Sequence, residues 1–398
     1  MADPIPGARA DLDADFFAYR SLLEKEEIER LETLRGWLER ELAPIADEQW
    51  AQAEFPFQLI PGFAALDLAS VPYDLPGSPG AGRLLAGFIS LELSRIDPSF
   101  SSFYGIHSGL AMGSIYHCGS DEQRDRWLPA MRRFEKIGAF GLTEPHGGSD
   151  VAGGLETTAR RDGDDWVLDG AKRWIGNGTF ADLIIVWARD VADDSVKGFV
   201  VEKEMPGFTA TKMEGKLALR TVQNADLGFE GVRVPEANRL QHADSFADTN
   251  TVLRQTRGGV AWGAVGAMMA VYEIAVQYAQ DREQFGKPIA SFELIQDLLS
   301  RMLGNLTASF GMAVRVAQLQ DQGVFQDEQG ALAKSYCTTR LRESVAWARE
   351  LLGGNGILLE YGIARFFNDA EALYSYEGTR DINSLMVGRS ITGISAFT

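Results

Sequence analysis

Cysteine, histidine and basic side chains are all scarce in this chain. Its two cysteines, Cys118 and Cys337, lie far apart, with no companions at metal-ligand spacing. That argues against a disulfide framework or a zinc module and for reduced, buried thiols. The four histidines, His107, His117, His146 and His242, form no HxxxH pattern, so no metal is expected. Lys and Arg total 38 against 56 Asp and Glu, a formal charge of −18. So acidic a surface is unsuited to nucleic acid or to an anionic membrane, although a few local Arg or a helix N-terminus can still hold a small anion. No apolar run reads as long enough to span a membrane. The opening MADPIPGARADLDADFF has neither a signal-type apolar core nor an Arg-rich transit pattern, and the closing SAFT is not a peroxisomal tripeptide. Cytoplasm is the expected compartment. Nucleophile-elbow, P-loop and EF-hand motifs are missing too.

What is present is the composition of a folded globular chain. Its 398 residues, 45% hydrophobic and 24% charged, have room for two or three domains. Three textures follow one another. Residues 15–137 read as helical: EKEEIERLETLRGWLERELAPIADEQW sets Ile28, Leu31, Leu34, Trp37, Leu38 and Leu42 on one stripe before Pro44 breaks it. Ser120 and Gln123 form a capping box ahead of another helix. Over 138–240 the period shifts towards two, with a hairpin at Asp162-Gly163 and the β-branched stretches ADLIIVWARD, GFVVEKEM and FEGVRVP. From 248 to 398 long Ala- and Gly-rich helices return, and INSLMVGRSITGISAF reads as the fourth of a bundle. The order helical, β, helical predicts a multidomain α+β fold and disfavours a doubly wound nucleotide-binding sheet.

Several stretches carry candidate chemistry, each with a plain alternative. FGLTEPHGGSD (140–150) is either an ordinary loop or a nest of amides and hydroxyls suited to a polar ring or a phosphate. Trp174, in KRWIGNGTF, is core or a platform for an aromatic cofactor. Arg282, in DREQFGKP, offsets a helix C-terminus or pins a phosphate. LLGGNG (351–356) follows a helix, so it is no dinucleotide fingerprint; it is a plain C-cap and turn or part of a site. Glu377, in YSYEGTRDINSLMVGR, heads a helix as a solvated cap or serves as a base.

Taken in order, FGLTEPHGGSD, KRWIGN, YAQDREQFGKP, ELLGGNG and YEGTRDIN resemble the flavin-dependent acyl-CoA dehydrogenase and oxidase family from about residue 20 to the end of the chain. YEGTRDIN, RWIGNGTFAD and GRSITGISAF resemble the branch of glutaryl-CoA dehydrogenases and plant-type short-chain acyl-CoA oxidases, with LALRTVQNAD closer to the oxidases. The resemblance implies an N-terminal helical domain, a central β-barrel-like domain, a C-terminal four-helix bundle and a homotetramer. It implies that Phe140, Leu142, Thr143, Gly148 and Ser149 line the isoalloxazine of FAD, with Trp174, Ile175 and Gly176 over its outer face. Arg282, Phe285, Glu293, Glu350, Leu351, Gly353 and Gly354 would reach the FAD of a neighbouring subunit, and Thr379 and Phe397 would also touch FAD. Ser101, Ser102, Ser149, Asn250, Arg257 and Gly378 would meet the acyl-CoA. Glu377 matches the family's base.

The chemistry so implied removes the α-proton of an acyl thioester with Glu377, passes a β-hydride to flavin N5 and leaves a trans-2-enoyl-CoA. Burial would strengthen that carboxylate as a base, and fixed donors to the thioester carbonyl, the base's own amide among them, would stabilise the enolate-like charge. Three positions depart from relatives. Where glutaryl-CoA dehydrogenases carry an Arg-Ser pair for a distal carboxylate, this chain has Ser101-Ser102, which points to a plain short- to medium-chain substrate. The usual Trp-Ile-Thr reads Trp174-Ile175-Gly176, and a frequent Gln is Glu293. The expected enzyme is an acyl-CoA dehydrogenase that passes electrons to an electron-transferring flavoprotein. Its alternatives are an oxidase using O2, a glutaryl-CoA dehydrogenase-like enzyme, or a desaturase of carrier-protein-bound acyl groups.

Overall fold

The computed structural model describes residues 14–396. Helices α1 (Lys25–Trp37), α2 (Ala46–Gln52), α3 (Ile60–Ala64), α4 (Gly82–Ile96), α5 (Pro98–Tyr104), α6 (Gly113–Cys118) and α7 (Asp121–Arg132) come first. The predicted stripe buries Leu31, Leu34, Trp37, Leu38 and Leu42, and Ser120 and Gln123 make the expected capping box at α7. The sequence did not announce two π-helical segments, Leu38–Leu42 after α1 and Gly105–Met112 between α5 and α6. Such segments concentrate at functional sites, and the second packs against α8, β1 and the Gly176 turn. Buried His107 lies on it. Its Nδ1 accepts from Gly138 N at 3.0 Å, which leaves Nε2–H to donate to Met131 O at 2.9 Å. The ring therefore joins α7 to the first strand, and burial pushes it down to about 4, so it stays neutral.

The β module has strands β1 (Gly138–Gly141), β2 (Thr158–Asp162), β3 (Asp165–Ile175), β4 (Leu183–Asp190), β5 (Val196–Glu202), β6 (Phe208–Lys212) and β7 (Ala225–Pro235). They lie in the order β1-β4-β2-β3-β7-β6, with β5 on the other edge of β4. β1 and β2 run parallel to β4 at its two ends, and the remaining pairings are antiparallel. The β2–β3 turn is centred one residue later than expected, on Gly163-Asp164, with Gly163 at φ 66°. Alternation along β4 explains how the module docks. Ile184, Val186 and Ala188 fill its own core, while Leu183, Ile185 and Trp187 join the core of the helices.

After the strands come α8 (Phe246–Asp281), a hairpin of β8 (Glu283–Gln284) and β9 (Lys287–Pro288), and then α9 (Glu293–Asp321) and α10 (Asp327–Leu351). The shorter α11 (Ile363–Ser375) and α12 (Arg380–Thr392) follow. The fourth helix expected from INSLMVGR is α12, which is mostly exposed, and α11 precedes it with a buried face of Ile363, Phe366, Ala370 and Leu373. One expectation is corrected: by length and composition α8 is apolar enough to cross a membrane, with a mean hydropathy of 1.5 over its best window. That window is built largely from Ala, Gly and Val and is 72% buried in the protein's own core, where small residues permit close helix packing.

Candidate active site

The site begins where β1 runs into the loop 142–149. Leu142, Phe140 and Ile175 are buried, Thr143 is half-buried, and Gly148 and Ser149 are exposed. The loop is tied to the end of β3. Arg173 N donates to Thr143 O at 2.8 Å, and buried Lys172 donates to Leu142 O at 3.1 Å and to Glu144 Oε1 at 2.7 Å. Glu144 in turn accepts from the amides of Glu156 and Thr157. A buried pair survives only when its remaining lone pairs are satisfied, as they are here, so the loop is a rigid shelf.

Above it, Trp174 is 55% exposed, and its backbone is left-handed at φ 64°. Asn224 Nδ2 holds its carbonyl at 3.1 Å, and Lys216 holds Asn224 Oδ1 at 2.7 Å. An indole fixed outwards by backbone anchors, without a core to fill, favours the platform reading over the core one. Next to it, Gly176 carries no side chain, and a Cβ there would overlap Cδ1 of Ile106 on the π segment. Asn177, also left-handed at φ 61°, donates to Phe103 O and Gly138 O at 3.2 Å each.

The π segment leads from this turn towards Glu377. A Cβ on its Gly109 would stand 3.3 Å from Thr256 Cγ2 on α8, and Thr256 Oγ1 donates to Glu377 Oε2 at 3.4 Å. Glu377 is half-buried and left-handed at φ 56°, in the loop between α11 and α12. Burial pushes its carboxyl above the ordinary range, while Arg257, Lys334 and the Thr256 hydroxyl oppose that rise. It is not the helix cap; Thr379 is, its hydroxyl accepting from Ile382 N at 3.3 Å. Tyr376 reaches towards Ser102, whose hydroxyl donates to Pro98 O at 2.9 Å, and Ser101 donates to Ser90 O at 3.3 Å.

Asn250 is half-buried near the start of α8, and Arg257, two turns on, is buried beside Glu377. A second group gathers elsewhere on the surface. Arg282, Phe285, Glu293, Glu350, Gly353 and Gly354 are exposed, and Leu351 is core. Among them, Arg282 N donates to Tyr278 O at 2.9 Å, and the Tyr278 hydroxyl receives Asn355 Nδ2 at 3.0 Å. Glu293 opens α9, where the helix dipole offsets its charge. Phe397 lies outside the described residues. Sequence reasoning missed Ile106, Thr256, Lys334 and Asn383, which shape or hold the Glu377 loop and the Gly176 turn. A lysine on the buried, mostly apolar stripe Ala331, Lys334, Thr338, Leu341 and Val345 was the available signal for one of them.

The half-buried Glu377 carboxyl, the π segment, the Gly176 turn and the exposed Trp174 thus follow one another in contact, beside the loop 142–149 that Arg173 and Lys172 tie to the end of β3. Sequence profiles of the acyl-CoA dehydrogenase N-terminal, middle and C-terminal domains match residues 24–135, 139–232 and 246–392. An acyl-CoA dehydrogenase of Bacillus subtilis (strain 168) is 33% identical over 375 residues, 93% of this chain and 98% of its own length. A glutaryl-CoA dehydrogenase of Mycobacterium smegmatis superposes with a TM-score of 0.91 at 37% identity, over 97% of this chain and 99% of that one. A glutaryl-CoA dehydrogenase from the same organism in complex with FADH2 gives 0.91 at 35% identity, over 96% and 98%. Fold and site thus define a three-domain flavoprotein oxidoreductase acting on a CH–CH bond. The chain belongs to the acyl-CoA dehydrogenase family, and its chemistry is FAD-dependent dehydrogenation of an acyl-CoA. The donor set fits that cofactor: hydroxyls of Thr143 and Ser149, an exposed indole, and a turn at Gly176 left without a side chain.

Proposed function

We propose that the protein oxidises a plain short- to medium-chain acyl-CoA to the trans-2-enoyl-CoA, with Glu377 as the base that takes the α-proton. The observation that carries this reading is the Glu377 carboxyl, partly desolvated and held in a left-handed backbone between Thr256, Arg257 and Lys334. Holding a non-glycine residue there costs on the order of 1–3 kcal/mol, and such strain persists at sites where aim matters. Thr143, Ser149, Trp174 and the Gly176 turn hold FAD, which supplies the acceptor for the hydride leaving the β-carbon. Gly378 gives the thioester room beside the base, and the amide of Glu377 is a candidate donor to its carbonyl oxygen. Removing a positioned general base typically costs about 10²–10⁴-fold in rate, so Glu377→Gln tests the assignment.

The substrate reading rests on Ser101 and Ser102. Both are neutral, and both direct their hydroxyls to main-chain carbonyls, Ser101 to Ser90 O of α4 and Ser102 to Pro98 O of its own helix. A distal carboxylate buried there without a cation would lose about 3–5 kcal/mol, more than a hundredfold in discrimination. In a panel of acyl-CoAs, butyryl-CoA is expected to outpace glutaryl-CoA; preference for glutaryl-CoA would overturn this and favour the glutaryl-type alternative. Electrons then pass to an electron-transferring flavoprotein. Rapid reoxidation in air with release of peroxide would instead mark an oxidase, and bleaching by an acyl carrier protein but by no acyl-CoA would mark a desaturase. We place the enzyme in the cytoplasm, where buried thiols such as Cys118 and Cys337 stay reduced. We assign it a homotetramer, supported by large apolar side chains left bare around the second residue group: Phe285 at 94%, Leu294 at 81% and Ile357 at 66% exposure.

A further inference from the structure

We propose that Lys334 is a positioning residue for the base: from the buried face of α10 its ammonium pins the main chain on both sides of Glu377 and sets a positive charge against that carboxylate. This rests on the reading of Glu377 as the base and adds a residue that the sequence motifs did not mark. Lys334 is wholly buried, and its Nζ donates to Tyr374 O at 2.7 Å and to Gly378 O at 2.8 Å. Those carbonyls lie three residues before and one residue after Glu377, so one ammonium spans the loop that carries it.

The loop needs such a clamp. Glu377 and Gly378 are consecutive left-handed residues, at φ 56° and 82°. A Cβ on Gly378 would come within 3.0 Å of Asn383 Nδ2, which itself donates to Gly378 O at 2.8 Å and Thr379 O at 3.1 Å. Gly378 O is thus held from α10 and from α12 at once. Two elements fix a conformation that the chain would otherwise leave.

Charge is the second half of the argument. Burying an ammonium with only main-chain carbonyls as partners is costly, and burial pulls Lys334 down to about 8, with the Glu377 charge opposing that fall. The groups facing the Glu377 carboxyl are Thr256 and Arg257 from α8, Lys334 from α10 and the adjoining Tyr376, whose phenol burial keeps neutral. Arg380, at the start of α12, is exposed and paired with Asp381 at 2.7 Å. Lys334 and Arg257 are therefore the two cations that oppose the burial-driven rise of the Glu377 carboxyl.

The test separates charge from geometry. Lys334→Met removes both, Lys334→Arg keeps the charge, and Asn383→Ala removes a loop bond and leaves the charge in place. In FAD-loaded Lys334→Met, kcat for butyryl-CoA is expected to fall at least about tenfold with KM changed less than about threefold. The acidic limb of kcat/KM is expected to move up by about one pH unit. Lys334→Arg and Asn383→Ala are expected to lower kcat with that limb unmoved. The infrared carboxyl stretch of Glu377, identified by its loss in Glu377→Gln, is expected to titrate higher in Lys334→Met as well, a readout independent of turnover. An acidic limb and a carboxyl titration unmoved in Lys334→Met, or moved as far in Asn383→Ala, would overturn the proposal. If Lys334→Met does not fold with FAD, a limb displaced in Lys334→Arg overturns it and an unmoved limb there, with kcat lowered, supports it. If Glu377→Gln keeps full turnover, the base assignment fails first, which is a distinct result.

Discussion

Gly176 stands where the resemblance implies a threonine. The space a side chain would take is filled by Ile106, which the π segment directs at the turn beside Trp174. Overpacking of this kind costs about 1–3 kcal/mol. Gly176→Thr is therefore expected to lower the melting temperature and the FAD content, and Ile106→Ala in the same chain to restore most of both. Equal damage in single and double variants would separate Ile106 from the effect. The same scale governs substrate choice: Ser101→Arg is expected to raise kcat/KM for glutaryl-CoA relative to butyryl-CoA by at least about tenfold, since it supplies the cation that a distal carboxylate requires. A ratio left unchanged would place the acyl tail elsewhere.

At the scale of elements, Asp369 on α11 ties three regions together. Its Oδ1 accepts from Trp50 Nε1 of α2 at 2.8 Å and from Leu219 N, in the loop before β7, at 2.7 Å. Burial raises its carboxyl to about 7, with the nearby Asp97 charge adding to the rise and Arg365 opposing it. A carboxyl so raised keeps a proton in the folded state that the unfolded chain releases at about 4. Stability therefore falls with rising pH between about 4 and 7, and levels off above. Asp369→Asn, which cannot ionise, is expected to gain on wild type over that window, by on the order of 2 kcal/mol at pH 8 relative to pH 5. A constant difference in melting temperature across pH would remove Asp369 from the account. Elements of this size also mark what a sequence can and cannot reveal. The α1 stripe, the Ser120–Gln123 cap and the β4 run were legible because periodicity and capping are local. β6 and the β8–β9 hairpin were too short for a period to register. The π segment was hidden because its own GIHSGLAM reads as an ordinary helix. Lys334 was hidden for a related reason: its partners lie 40 and 44 residues along the chain.

The whole molecule leaves large apolar side chains uncovered at the β8–β9 turn and near the end of α10, beside residues that the resemblance assigns to a neighbour's FAD. Phe285 stands at the tip, left-handed at φ 54° and 94% exposed. Phe285→Asp is expected to yield a smaller species by light scattering and to lose FAD with it. A tetramer that keeps its FAD would break the link between assembly and cofactor. The motifs singled out Glu377 from the sequence, yet the residues that hold its loop emerge only when α8, α10 and α12 converge on it.

The most direct test of the account is anaerobic mixing of butyryl-CoA with the FAD-loaded enzyme, wild type beside Glu377→Gln. The wild-type flavin should bleach rapidly, and the variant should bind the thioester with similar affinity but leave the flavin yellow, slowed by about 10²–10⁴-fold or more. Bleaching at the wild-type rate in Glu377→Gln would contradict the central claim that this carboxylate takes the α-proton.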